Sequence, residues 1–199
     1  MEPRKPRTQL IRASNFSSMT PVHSSPDRLH LALHEAGHAV VLNALGYPIE
    51  YVSITDGGDW THEARTPLGI VLPATTQVHV AVAGWMAVYN ETKDFTGSVA
   101  GCRGDLELLQ QSSKQLEGLY RTQYQPIGEY VVSCRNFVLE IIRRRWDAVH
   151  AVAGALLAKG VLTGHDVAEL IREHLPPSEI AGDSPRVYAG CRAVGDRLS

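Results

Sequence analysis

Leu29-His30-Leu31-Ala32-Leu33-His34-Glu35-Ala36-Gly37-His38-Ala39-Val40-Val41-Leu42 is an apolar run carrying an H-E-x-x-H pattern. Residues four apart on a helix lie on one face, one turn apart. His34 and His38 can therefore aim two imidazoles at one point. Neutral imidazole is a good zinc ligand, and two of them make half of a tetrahedral site. Glu35 is one residue along, where a carboxylate can take the proton of a water activated by the metal. The context is helical throughout. Ser25 is a candidate N-cap, Pro26 suits the first helical position, and Asp27 suits the first turn. Gly46 is a natural C-terminal glycine and Pro48 stops any continuation. The spacing predicts a metal helix over residues 26–45.

Working outward, the 199-residue chain is long enough for one domain with a sizeable core. Hydrophobic residues make up 44% and charged residues 20%, an ordinary composition for a soluble protein. A net charge of -2 gives no reason to expect a nucleic-acid partner. No apolar run approaches the roughly 20 residues of a membrane span, so no membrane association is expected. Cys102, Cys134 and Cys191 are odd in number and form no C-x-x-C pair. They argue against a disulfide framework and for a reducing, cytoplasmic location, and their spacing is unlike that of zinc ligands.

Residues 1–25 are rich in Ser, Pro and Arg and lack apolar periodicity; they read as a disordered N-terminal arm. Pro3, Pro6 and Pro21 break the amphipathic helix that a transit peptide needs. The domain itself is expected over residues 26–175 and a flexible tail over 176–199. The expected fold is mainly α with a small β-hairpin or sheet, a zincin-like helical metallopeptidase domain. Ile49 to Thr55 reads as a strand, Asp56 to Asp59 as a turn, and Leu68 to Leu72 as a second strand ended by Pro73. The open edge of such a strand can hold an extended peptide.

Thr75 or Thr76 is expected to cap a second helix reaching Glu91, with a buried stripe of Val78, Ala81, Val82, Trp85, Met86 and Tyr89. His79 reads as a packed or surface residue of that helix. A glycine-bearing loop follows from Asp94 to Gly104, then a helix from Asp105 to Tyr124. After Pro126 the pattern is helical to Lys159, with a break expected near Arg145-Trp146. Arg143, Arg144 and Arg145 point in different directions around a helix and read as solvated. Thr163-Gly164-His165-Asp166 is a capped helix start.

A catalytic zinc usually has three protein ligands and one open position. Asp94, Asp105, Glu107, His62 and His79 are all candidates for the third, and the pattern alone does not choose among them. It does exclude the H-E-x-x-H-x-x-G-x-x-H arrangement, because Ala39-Val40-Val41-Leu42-Asn43-Ala44 follows His38.

Over residues 29–173 the chain resembles the peptidase domain of the FtsH-type membrane-bound AAA proteases. His34-Glu35-Ala36-Gly37-His38-Ala39 matches that family's zinc helix residue for residue. Pro67-Leu68-Gly69-Ile70-Val71-Leu72-Pro73 resembles its substrate-edge strand, and Ala83-Gly84-Trp85-Met86-Ala87 its Gly-Arg-Ala-Ala helix. Gly101-Cys102-Arg103-Gly104-Asp105-Leu106 resembles its Gly-Ala-x-Asn-Asp-Leu segment, and Ala155 to Gly164 its closing helix-turn-helix. The resemblance implies a zinc metalloendopeptidase with His34, His38 and Asp105 as ligands and Glu35 as the general base. Trp85 stands where the family has Arg, Val88 and Tyr89 where it has an acidic pair, and Gly104 where it has Asn.

No G-x-x-x-x-G-K-[ST] occurs in the sequence, so the expectation is a peptidase domain without its motor. Protein or peptide substrates are expected, delivered unfolded or by a separate ATPase, and the oligomeric state stays open. Two other readings are a small regulatory H-E-x-x-H peptidase that cleaves one partner protein and a non-catalytic zinc-bearing interaction module.

Overall fold

The computed structural model describes residues 28–55, 61–99, 102–120 and 127–180. Ser25, Pro26, the Asp56 to Asp59 turn, the N-terminal arm, Cys191 and residues 181–199 of the expected tail lie outside them.

Helix α1 (Arg28–Ala44) is the centre of the molecule. Every residue from Leu31 to Leu42 is buried, on all faces of the helix. A helix apolar all round is one that neighbours enclose. Gly46, at φ 80°, ends it; its N–H donates to the Asn43 carbonyl and that of Tyr47 to the Leu42 carbonyl.

Strands β1 (Tyr51–Thr55), β2 (Thr61–Arg65) and β3 (Val161–Thr163) form an antiparallel sheet in the order β2-β1-β3. Tyr51 faces Arg65 on one side and Thr163 on the other. Val52, Ile54 and Leu162 put their side chains into the core beneath. The second strand is therefore not Leu68 to Leu72. That stretch is bounded by Pro67 and Pro73, and the Ile70 N–H donates back to the Pro67 carbonyl through Gly69 at φ 90°. A tight turn closed at a positive-φ glycine cannot run on as a ladder. Leu68 and Val71 are left 84% and 86% exposed.

Helix α2 (Ala74–Thr92) begins one residue before the expected threonines, with Pro73 in the capping position and no side-chain cap. It is enclosed rather than striped, since every residue from Val78 to Val88 is buried. It packs between α1 and the later helices α4 (Arg103–Tyr120) and α5 (Ile127–Arg144). Gly37 makes the close approach of α1 and α2 feasible: a Cβ there would lie 2.7 Å from the Ala83 carbonyl oxygen and 2.7 Å from the Ala87 Cβ. The expected loop from Asp94 contains a short helix, α3 (Phe95–Val99), and α4 starts at Arg103, two residues ahead of Asp105.

The long helical stretch does break at Arg145, between α5 and α6 (Trp146–Lys159). Arg145 itself is not solvated. It is buried, ion-paired to Glu179 at 2.6 Å and donating to Asn43 of α1 at 3.0 Å. A guanidinium fork satisfied on both sides is what allows an arginine at the break to turn inward. Thr163 and Asp166 close a reciprocal capping box at the start of α7 (Gly164–Glu173). The first residues of the segment expected as a tail form α8 (Pro177–Ile180), which Glu179 ties to Arg145.

Candidate metal centre

One turn of α1 sets His34 and His38 side by side with both Nε2 atoms on the same spot, 3.0 Å apart. The start of α4 brings the Asp105 carboxylate to them. Its Oδ2 lies 2.9 Å from His34 Nε2 and 3.4 Å from His38 Nε2. These three ligand atoms, all within 4.8 Å of one another, are the only group of its kind among the described residues. Both histidines are buried and the aspartate is half-buried. The cluster could hold a metal ion.

The second nitrogen of each imidazole has its own partner. His38 Nδ1–H donates to the Val80 carbonyl of α2 at 2.8 Å, which leaves Nε2 as the lone-pair atom of the neutral ring. His34 Nδ1 lies 3.6 Å from the Cys102 sulfur. Gly84 of α2 makes room for the His34 ring; a Cβ at that position would overlap it.

The donor set fits zinc. Ligand atoms about 2.0–2.1 Å from a tetrahedral ion stand about 3.3–3.4 Å from one another. The three separations here, 2.9, 3.0 and 3.4 Å, are close to that. Two imidazole lone pairs and a carboxylate oxygen in van der Waals contact need a cation among them, either a proton or a metal. In the metal-free protein it is a proton. Burial pulls the His38 pKa down, but the adjacent Asp105 carboxylate outweighs this and raises it to about 9. Burial works against the Asp105 charge, yet the His38 imidazolium, with the His34 ring beside it, holds that carboxyl well below its usual range. A metal ion could take the place of that proton.

Glu35 is 1% exposed, with Oε1 4.0 Å from His34 Nε2, on the rim of the three-ligand cluster. The other third-ligand candidates are elsewhere. His79 is buried on α2 against the Phe137 ring. Glu107 is exposed and paired with Arg103. Asp94 is exposed at the start of α3. The backbone of His62 pairs with Ile54 across the sheet, and its side chain lies outside what the structure describes.

Three contributors escape a reading of residue types: Gly84, the Val80 carbonyl and Cys102. Backbone oxygens carry no sequence signal. Cys102 does have one, its place three residues before Asp105. Burial above all, with the Asp105 and Glu35 charges, pushes its thiol up to about 12.

No family model matches this chain, and a search of the curated proteins finds no match either.

Proposed function

We propose that this protein is a zinc-dependent metalloendopeptidase of the FtsH-type peptidase kind, acting without ATP in this chain. The observation that carries the reading is the convergence of His34, His38 and Asp105 with Glu35 buried at their edge. His34 and His38 supply imidazole Nε2 atoms and Asp105 a carboxylate oxygen, the ligand chemistry of a catalytic rather than a closed structural zinc site. Bound there, zinc lowers the pKa of water to about 7 and polarises the substrate carbonyl.

The chain's own groups do the rest. Glu35 accepts the proton of the attacking water and returns it to the leaving amine nitrogen. The Val80 carbonyl holds the His38 ring in its ligating tautomer. β2 is an outer strand with no described strand on its far side, and it packs on α1. An extended peptide adding to that edge would run past the helix that carries the site. With no phosphate-binding loop in the sequence, peptides, unfolded segments or a partner delivered by a separate ATPase are the substrates we propose. Among the described residues no helix is long and apolar enough to cross a membrane. Cys102 and Cys134 are thiols rather than members of a disulfide, and we take the cytoplasm as the place of action.

The test is Glu35→Gln, assayed for cleavage of unfolded casein and for bound zinc. The expected result is retained zinc and turnover reduced by about 100-fold or more, the range for loss of a general base. Cleavage at the wild-type rate would remove Glu35 from the mechanism.

A further inference from the structure

Cys102 sits at the junction of α3 and α4. Its N–H donates to the Val99 carbonyl and its carbonyl accepts from Leu106, the first turn of the helix that carries Asp105. Its sulfur is buried with the Ser98 carbonyl oxygen at 3.5 Å and His34 Nδ1 at 3.6 Å, and the Trp85 side chain also hydrogen-bonds to it. A carbonyl oxygen only accepts, so the S–H points to Ser98. The sulfur then turns its lone pairs to His34, and Nδ1 is the donor of that pair. With the proton on Nδ1, the lone pair of the neutral ring is on Nε2, the atom that faces His38 Nε2 and Asp105 Oδ2.

We infer that Cys102 is a positioning residue for His34: relayed from the Ser98 carbonyl, it fixes the Nδ1–H tautomer and the ring orientation that present Nε2 to the metal. The inference rests on the metal-centre reading above and gives the two histidines matching supports, the Val80 carbonyl for His38 and the Cys102 sulfur for His34. Partners of this kind orient ligating imidazoles and raise their basicity, and their loss typically lowers metal affinity about 10–100-fold. The same residue ties ligand to ligand, because the backbone that places its sulfur also starts α4.

The experiment compares wild type with Cys102→Ala, Cys102→Ser and Cys102→Val. Zinc affinity is measured by chelator competition, and the His34 ring nitrogens are followed by NMR in the zinc-free and zinc-loaded proteins. Serine can still donate to Ser98 and accept from His34; valine fills the space but can do neither. The expected order is Cys102→Ser within a few-fold of wild type, with Cys102→Ala and Cys102→Val both about 10–100-fold weaker. The wild-type Nδ1–H signal of His34 should be protected and should shift in every variant. Valine binding zinc as well as wild type, or a zinc-loaded wild type whose His34 Nδ1–H exchanges freely, would overturn the inference. Should the alanine variant not fold, the serine and valine pair decides. Should wild type bind no zinc, the metal reading fails and the role of Cys102 falls with it; zinc in the wild type with valine equal to it overturns the role of Cys102 alone.

Discussion

Gly84 is where one hydrogen atom instead of a methyl group decides the geometry of the site. The His34 ring fills the space a Cβ would need, with the rest of α2 packed behind it. Close-packed interiors do not absorb an added methyl without a shift, at a typical cost of about 1–3 kcal/mol. Gly84→Ala is expected to fold with reduced stability and to lose zinc affinity by at least about 10-fold, since Nε2 is swung off the common point. A zinc titration beside a thermal melt checks this, and unchanged affinity would show that the ring has room to spare.

His79, also on α2, makes a prediction of a different kind. It is buried against Phe137, with a hydrogen bond to the Thr75 backbone. Burial depresses its pKa from 6.5 to about 4. The folded protein thus holds the ring neutral where the unfolded chain would protonate it. Its part of the stability is complete above pH 6.5, declines as the pH falls from 6.5 toward 4, and is flat below that. The loss across this window is roughly 2–4 kcal/mol. Denaturant unfolding of wild type and His79→Leu at pH 7 and pH 4.5 should show the wild type losing more stability on acidification. Equal losses would contradict the assignment.

At the scale of elements, the fixed pieces are those whose periodicity or punctuation has one physical solution. α1 was legible because its apolar run, glycine end and following proline agree with one another. The break between α5 and α6 was legible because a single helix of that length is unusual, and the Thr163 capping box because Ser/Thr and Asp at that spacing satisfy each other's backbone. The strand at Leu68 to Leu72 was misread because β-propensity registers apolar residues and not what they pair with. Thr61 to Arg65 is polar in composition, yet it has β1 to bind. Arg145 was misread for the related reason that its partner, Glu179, is 34 residues away.

That pair now fixes α8 against the α5–α6 junction and, through Asn43, against α1. Removing one member of a buried pair strands the other, at a cost of about 3–5 kcal/mol. Glu179→Ala is expected to destabilise by about that amount, and the double variant Arg145→Met with Glu179→Leu to recover most of it. Chemical denaturation measures both; a Glu179→Ala protein as stable as wild type would mean that α8 is not anchored through this contact.

For the molecule as a whole, the sheet, α2 and α6 enclose α1 so completely that the two histidines of the candidate centre lie within the core, with Asp105 half-buried at the start of α4. A site built on rigid elements holds its ligands closely. The H-E-x-x-H half of it was readable because helix geometry alone brings i and i+4 together. The third candidate ligand was not readable from spacing, because Asp105 reaches the histidines only through the packing of α2 against both α1 and α4. Residue type alone could not separate it from Asp94, Glu107, His62 or His79.

The most direct measurement is therefore zinc stoichiometry by mass spectrometry on the purified full chain and on its Asp105→Ala variant, with circular dichroism to confirm that both are folded. The expected result is one zinc per wild-type chain, removed by chelator, and a folded Asp105→Ala protein that does not retain the metal through dialysis. Wild type without zinc, or Asp105→Ala holding it as tightly as wild type, would contradict a centre made of His34, His38 and Asp105.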